Sequence, residues 1–128
     1  MVNTRKKILV VDDEPTVRES LEEMLTEKDF TVLKADDGES GYDLIVQEIP
    51  DLLIIDILLP KIDGIVLCEK IRKNSKLKHI PIILMTGIYM DFNFRMKIQR
   101  GIADDFIVKP IRHDEMLSKI DKLLNPDE

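Results

Sequence analysis

Several short apolar runs in this chain end on side chains able to do phosphoryl chemistry. Asp12 and Asp13 follow Ile8–Val11, and Asp56 follows Leu52–Ile55. Thr86 follows Ile82–Met85, while Lys109 follows Phe106–Val108 and precedes Pro110. If the runs are neighbouring parallel strands, carboxylates, a hydroxyl and an ammonium share one edge of a sheet. Hard cations such as Mg²⁺ take oxygen ligands, usually one or two carboxylates with several waters. Asp13 and Asp56 can supply the carboxylates, Asp12 can hold a coordinated water, and the loop after Asp56 can add a backbone carbonyl. Without a cation such a group of acids repels itself and tends to take up a proton.

Asp56 is the candidate nucleophile, since a carboxylate can accept a phosphoryl group as an acyl phosphate. That step is accelerated mostly by positioning and charge neutralisation. Lys109 and the cation can neutralise phosphoryl oxygens, and the Thr86 hydroxyl can donate to another. Gly87 leaves room for a phosphate to approach the backbone.

The elements that must position these residues are legible as an alternation of strand and helix, the pattern of a parallel sheet covered on both faces. Strands are expected near 7–11, 31–35, 52–55, 82–86 and 105–108. Pro15 suits the first turn of a helix, and Val17, Leu21, Met24 and Leu25 follow as one apolar stripe. Asp36-Asp37-Gly38 turns into a second helix that ends before Pro50. A third helix follows Gly64, and Met116, Leu117, Ile120, Leu123 and Leu124 mark the last. An open sheet of this kind binds ligands beyond the carboxyl ends of its strands, where all the singled-out residues fall. With no repeat or linker, residues 1–128 are expected to form a single domain.

Composition limits the function classes. The 128 residues, 44% hydrophobic and 34% charged, suit a folded globular domain. A net charge of −6 argues against direct nucleic-acid or acidic-membrane binding. No apolar stretch approaches the ~18 residues of a membrane span, and 8–11 is too short for a signal-peptide core, so a cytoplasmic protein is expected. Cys68, the sole cysteine, is expected to be a small buried thiol. His79 and His113 are expected to be exposed.

Taken in order, Val11-Asp12-Asp13-Glu14-Pro15, Asp56 with Pro60 and Asp63-Gly64, Thr86-Gly87 and Phe106-Ile107-Val108-Lys109-Pro110 resemble the receiver domains of two-component response regulators. The resemblance runs from Lys7 to about Leu124. It implies a flavodoxin-like sheet of strand order 2-1-3-4-5. It also implies that Asp56 receives the phosphoryl group from a phosphohistidine on a histidine kinase or histidine phosphotransferase. Asp13, Asp56 and the carbonyl of Leu58 would be direct Mg²⁺ ligands, with Asp12 acting through water. Thr86 and Lys109 would register the phosphate, and Phe106 would be a switching aromatic. The output would be binding of a downstream effector, or a homodimer, through the surface of helix four, strand five and helix five. The peptide before Pro110 would be cis.

Three departures from the family pattern stand out. Leu59 replaces a usual methionine, and Phe106 lacks a tyrosine hydroxyl. The approach to the last strand, Gly101-Ile102-Ala103-Asp104-Asp105, is one residue longer. The helix before it, expected over 88–100, carries apolar residues almost all round, which suggests burial against a partner. Simpler roles exist for single residues: Asp12 or Asp13 as a helix N-cap, Lys109 as a solvated lysine. Two other functions compete. One is a Mg²⁺-dependent aspartyl-phosphate phosphohydrolase, although Leu58 stands where such enzymes carry a second aspartate. The other is a degenerate receiver that serves only for docking. The leading expectation is a signalling phosphoacceptor, not a turnover enzyme.

Overall fold

A computed structural model describes residues 5–87 and 92–127. Five parallel strands, β1 (Lys7–Val11), β2 (Thr31–Ala35), β3 (Leu52–Asp56), β4 (Ile82–Thr86) and β5 (Asp105–Val108), form one sheet in the order β2-β1-β3-β4-β5. Helices α1 (Pro15–Glu27), α2 (Gly38–Glu48), α3 (Gly64–Lys73), α4 (Phe92–Gln99) and α5 (His113–Leu124) alternate with them.

Side-chain alternation along the strands divides the interior in two. Leu9, Val11, Leu53, Ile55, Ile82 and Leu84 meet α2 and α3 through Ile45, Leu67, Cys68 and Ile71. Their neighbours Ile8, Val10, Leu52, Ile54, Ile83 and Met85 meet α1 and α5 through Leu21, Leu25, Met116 and Ile120. The central strand β3 is therefore buried at every position, which accounts for its unbroken apolar run. Burial of each such large aliphatic side chain favours folding by roughly 1.5–3 kcal/mol.

Helix ends follow local chemistry. Pro15 opens α1, and Asp29, at a left-handed φ of 67°, closes it while its N–H donates to Thr26 O. The Asp37 carboxylate accepts from Ser40 N at 2.7 Å to cap α2, and Asp63 accepts from Val66 N at 2.9 Å to cap α3. The N-cap of α1 is Glu14, which makes no side-chain cap bond. The simpler reading of Asp12 or Asp13 as that cap is thereby corrected: the chain is still leaving β1 there.

The longer approach to β5 is absorbed at the end of α4. Gly101 takes a left-handed φ of 90°, and the N–H of Ile102 donates to Lys97 O at 3.2 Å. Glycine reaches that conformation without a Cβ clash. The turn drops Ile102 and Ala103 onto the α2–α3 side of the sheet. Of the apolar helix expected over 88–100, residues 88–91 lie outside the described residues. In the described part Phe92 is 74% exposed, while Met96 and Ile98 are half-buried. The Lys109–Pro110 peptide is cis, as expected, and both His79 and His113 are exposed.

Cys68 has no exposed surface, and burial pushes its thiol up to about 12. Its thiolate is the reactive form, so alkylation by iodoacetamide at pH 8 should be negligible in the folded protein and rapid in urea. Rapid labelling of the native state, read by intact mass, would contradict this packing.

Candidate functional site

The carboxyl ends of β1, β3, β4 and β5 bring the expected residues to one edge. Parallel register aligns Val11 with Ile55, Asp56 with Met85 and Thr86 with Val108, so the residues just beyond these positions converge. Asp12 is fully buried, Asp56 is 4% and Thr86 2% exposed.

Lys109 sits at the centre. Its Nζ lies 3.0 Å from Asp12 Oδ2, 3.0 Å from Asp56 Oδ2 and 3.2 Å from Glu14 Oε1. Its backbone N–H donates to Thr86 O at 2.7 Å, which ties the ends of β4 and β5 together. Asp12 is fixed from the other side: Oδ1 accepts from Glu14 N at 2.8 Å, and its carbonyl accepts from Arg18 Nη1 at 2.7 Å. Asp12 Oδ2 is buried and, despite its closeness to Lys109, lacks a partner in hydrogen-bond geometry among the described residues.

The floor under Asp56 depends on glycine. A Cβ at Gly64 would collide with the Asp56 carbonyl and with Ile57 Cα. Only a residue without a side chain lets α3 start this close to the strand that ends at Asp56. Gly87, beside Thr86, faces open space, consistent with room for a ligand.

Asp12, Asp13, Glu14 and Asp56 each present a carboxylate oxygen, all within 4.8 Å of one another. Burial raises the Asp56 pKa above the ordinary carboxylate value, against the Lys109 hydrogen bond and together with the charge of Asp12. Burial also works against the Lys109 ammonium, but its close polar contacts with the Asp12 and Asp56 carboxylates and their negative charge outweigh it and hold the ammonium above the usual lysine range. Hard oxygen donors in excess of cations, one of them buried and poorly satisfied, fit a divalent metal ion.

The structure thus brings Asp12, Asp13, Asp56 and Lys109 into one cluster and sets Thr86 beside it. Leu58 lies in the adjoining loop, its side chain 66% exposed and its N–H 3.4 Å from Asp56 Oδ1. Phe106 is half-buried, with Lys119 Nζ 5.8 Å from its ring centroid. Glu14 was not singled out from the sequence as a site residue. Its position directly after Asp12-Asp13 and before Pro15 was the available signal.

Comparison with known proteins agrees with this geometry. The family model described as the response regulator receiver domain matches residues 8–121. A Guillardia theta protein named "Probable transcriptional regulator ycf27" is 38% identical over 123 residues, covering 96% of this chain and 47% of the relative. The DNA-binding dual master transcriptional regulator RpaA of Synechocystis is 33% identical, covering 92% of this chain and 48% of that protein. The chain therefore spans about half the length of the curated relatives it matches. Among solved structures, the signal receiver domain of a signal transduction histidine kinase from Syntrophus aciditrophicus superimposes with a TM-score of 0.86 at 32% identity, covering 96% of this chain and 92% of that one.

The raised Asp56 pKa makes a stability prediction. Its protonated form suits the folded site, so its contribution is fully present below the ordinary carboxylate pKa and is lost as pH rises through the folded value. Asp56→Asn, which removes the charge while keeping the shape, should stabilise the metal-free protein at pH 7. Urea titration should show that gain shrinking towards pH 3. A variant less stable than the parent at neutral pH would contradict the assignment.

Proposed function

The chain belongs to the response regulator receiver domain family, and we propose that it accepts a phosphoryl group on Asp56 from a phosphohistidine of a histidine kinase or histidine phosphotransferase. The carrying observation is the buried Asp56 carboxylate held 3.0 Å from the Lys109 ammonium within a cluster of acids. In the transfer, an Asp56 oxygen forms a bond to phosphorus as the phosphorus–nitrogen bond of the donor histidine breaks. The departing imidazole nitrogen keeps the electron pair. Hydrolysis of the acyl phosphate by water releases inorganic phosphate and returns the free carboxylate, so each cycle consumes one donor phosphoryl group and resets a signal.

Asp13, Asp56 and the Leu58 carbonyl would hold Mg²⁺ directly, with Asp12 acting through water and Glu14 at the rim. Bound there, the ion supplies positive charge to the acids and to the incoming phosphoryl oxygens. Lys109 neutralises another phosphoryl oxygen, and Thr86 donates its hydroxyl to a third. Because the Lys109 N–H is bonded to the Thr86 carbonyl, movement of either residue is felt at the end of both strands. Phe106, half-buried on β5, is placed to pass that movement to the surface of α4, β5 and α5. That surface would engage an effector or a second copy of the chain. The setting is cytoplasmic signalling, and no helix among the described residues is long and apolar enough to cross a membrane.

Acetyl phosphate with Mg²⁺ should add one phosphate to the intact protein, mapped to Asp56 and absent from Asp56→Asn. Asp13→Ala should slow labelling by about tenfold or more, since a metal ligand is lost. Lys109→Ala and Thr86→Ala should keep some labelling but lose the accompanying change in hydrogen exchange over β5 and α5. Unchanged labelling without Mg²⁺, or steady turnover of small phosphoesters, would sink the proposal.

A further inference from the structure

The acidic net charge of −6 conceals a strongly basic region. Residues 69–80 carry Lys70, Arg72, Lys73, Lys76 and Lys78 against Glu69 alone, and residues 92–103 carry Arg95, Lys97 and Arg100 with no acid. The fold joins these two segments. A cavity of about 410 Å³ is lined by Arg72, Lys73, Lys78 and Arg100, with Glu69, Gly101 and Ile102.

Arg72 holds the two rims together and spends its donors doing so. Its Nε donates to Gly101 O at 2.8 Å, Nη1 donates to Lys78 O and Ile80 O at 2.8 Å, and Nη2 reaches Asp104 Oδ2 at 2.9 Å. Lys73, Lys78 and Arg100 are different. All three are exposed, and among the described residues none has a carboxylate within ion-pair distance. Elsewhere Lys7, Lys34 and Lys119 are paired with Glu48, Glu22 and Asp105. Like charges gathered without counter-charge raise the free energy of the isolated fold, and a partner that supplies the counter-charge lowers it.

We propose that this basic face, built by the end of α3, the loop before β4 and the end of α4, is a docking surface for an acidic polypeptide. It lies away from the Asp56 cluster and does not depend on phosphoryl transfer. A protein partner is favoured over nucleic acid by the rest of the charge distribution. Outside these segments the surface is acidic, so an extended duplex would run past the basic face into repulsion, whereas a compact acidic segment would not. Half-buried Ile102 at the cavity and the aliphatic stems of Lys73, Lys78 and Arg100 also offer apolar contact to a peptide.

Fluorescent poly-L-glutamate is a suitable probe of the full chain, read by anisotropy. Binding is expected at low ionic strength, with strong weakening as salt rises to about 0.2 M. The combined variant Lys73→Glu, Lys78→Glu, Arg100→Glu should lose affinity by about tenfold or more, while Lys28→Glu on the opposite side of the sheet should change it by less than about twofold. The matching glutamine variant should lose affinity by an intermediate factor, and it keeps the test valid if the glutamate variant folds poorly. Labelling at Asp56 by acetyl phosphate should be unaffected in each. Equal binding by the parent and the triple variants, no binding by the parent, or tighter binding to a DNA duplex of the same charge would each overturn the proposal.

Discussion

The contact between the Lys109 ammonium and the carboxylates of Asp12, Asp56 and Glu14 is what allows this sheet edge to exist. Carboxylates all within 4.8 Å of one another, two of them on buried residues, would otherwise force protonation or an opening of the strand ends. One ammonium lessens that repulsion, but burial, aided by the charge of Asp12, still holds the Asp56 pKa above the ordinary carboxylate value. Full neutralisation would make a more stable protein and a poorer cation receptor. The site is thus held in deficit of positive charge, the kind of local cost that functional sites commonly carry.

The backbone makes that cluster responsive. Lys109 lies just beyond β5 and Thr86 ends the adjacent β4, and the 2.7 Å bond between their main chains leaves little freedom to move one without the other. Below Asp56, the start of α3 is pressed against the strand end at Gly64. Asp56 therefore rests on a floor that yields little, while the Lys109 ammonium sits on a loop just beyond β5. A new charge on Asp56 would be accommodated mainly on the β4–β5 side. Packing favours this asymmetry, because β3 is buried on both faces whereas Val108, the last residue of β5, is 49% exposed.

Much of this was legible in the sequence because strand ends are marked twice, by an apolar run and by the polar residue that stops it. The runs ending at Asp56 and Thr86 could be read almost to the residue, and Pro15 and Pro50 punctuated the neighbouring elements. Glu14 was missed because an acid just ahead of a helix is ordinarily solvated, and only the three-dimensional approach of Lys109 makes it part of the cluster. The end of α4 was legible too, since the helix expected to stop at residue 100 stops at Gln99. Spacing could not show that the left-handed Gly101 then turns Ile102 inward to the sheet. The role of Arg72 carried no local signal, because its partners are backbone carbonyls and a carboxylate far along the chain.

Charge shows the same contrast between composition and arrangement. A net value of −6 argues against anionic partners only if the charge is spread evenly. At physiological salt a charge is felt over roughly 8 Å, so an approaching molecule senses one face and not the total. The sheet separates the two signs through its connections. Acids gather at the carboxyl ends of the strands, around the Lys109 ammonium. The cations of α3 and its following loop accumulate beyond the helix, where Arg72 secures them to the turn after α4. The molecule consequently offers two electrostatically opposite surfaces. An inference about partners drawn from composition alone describes neither of them.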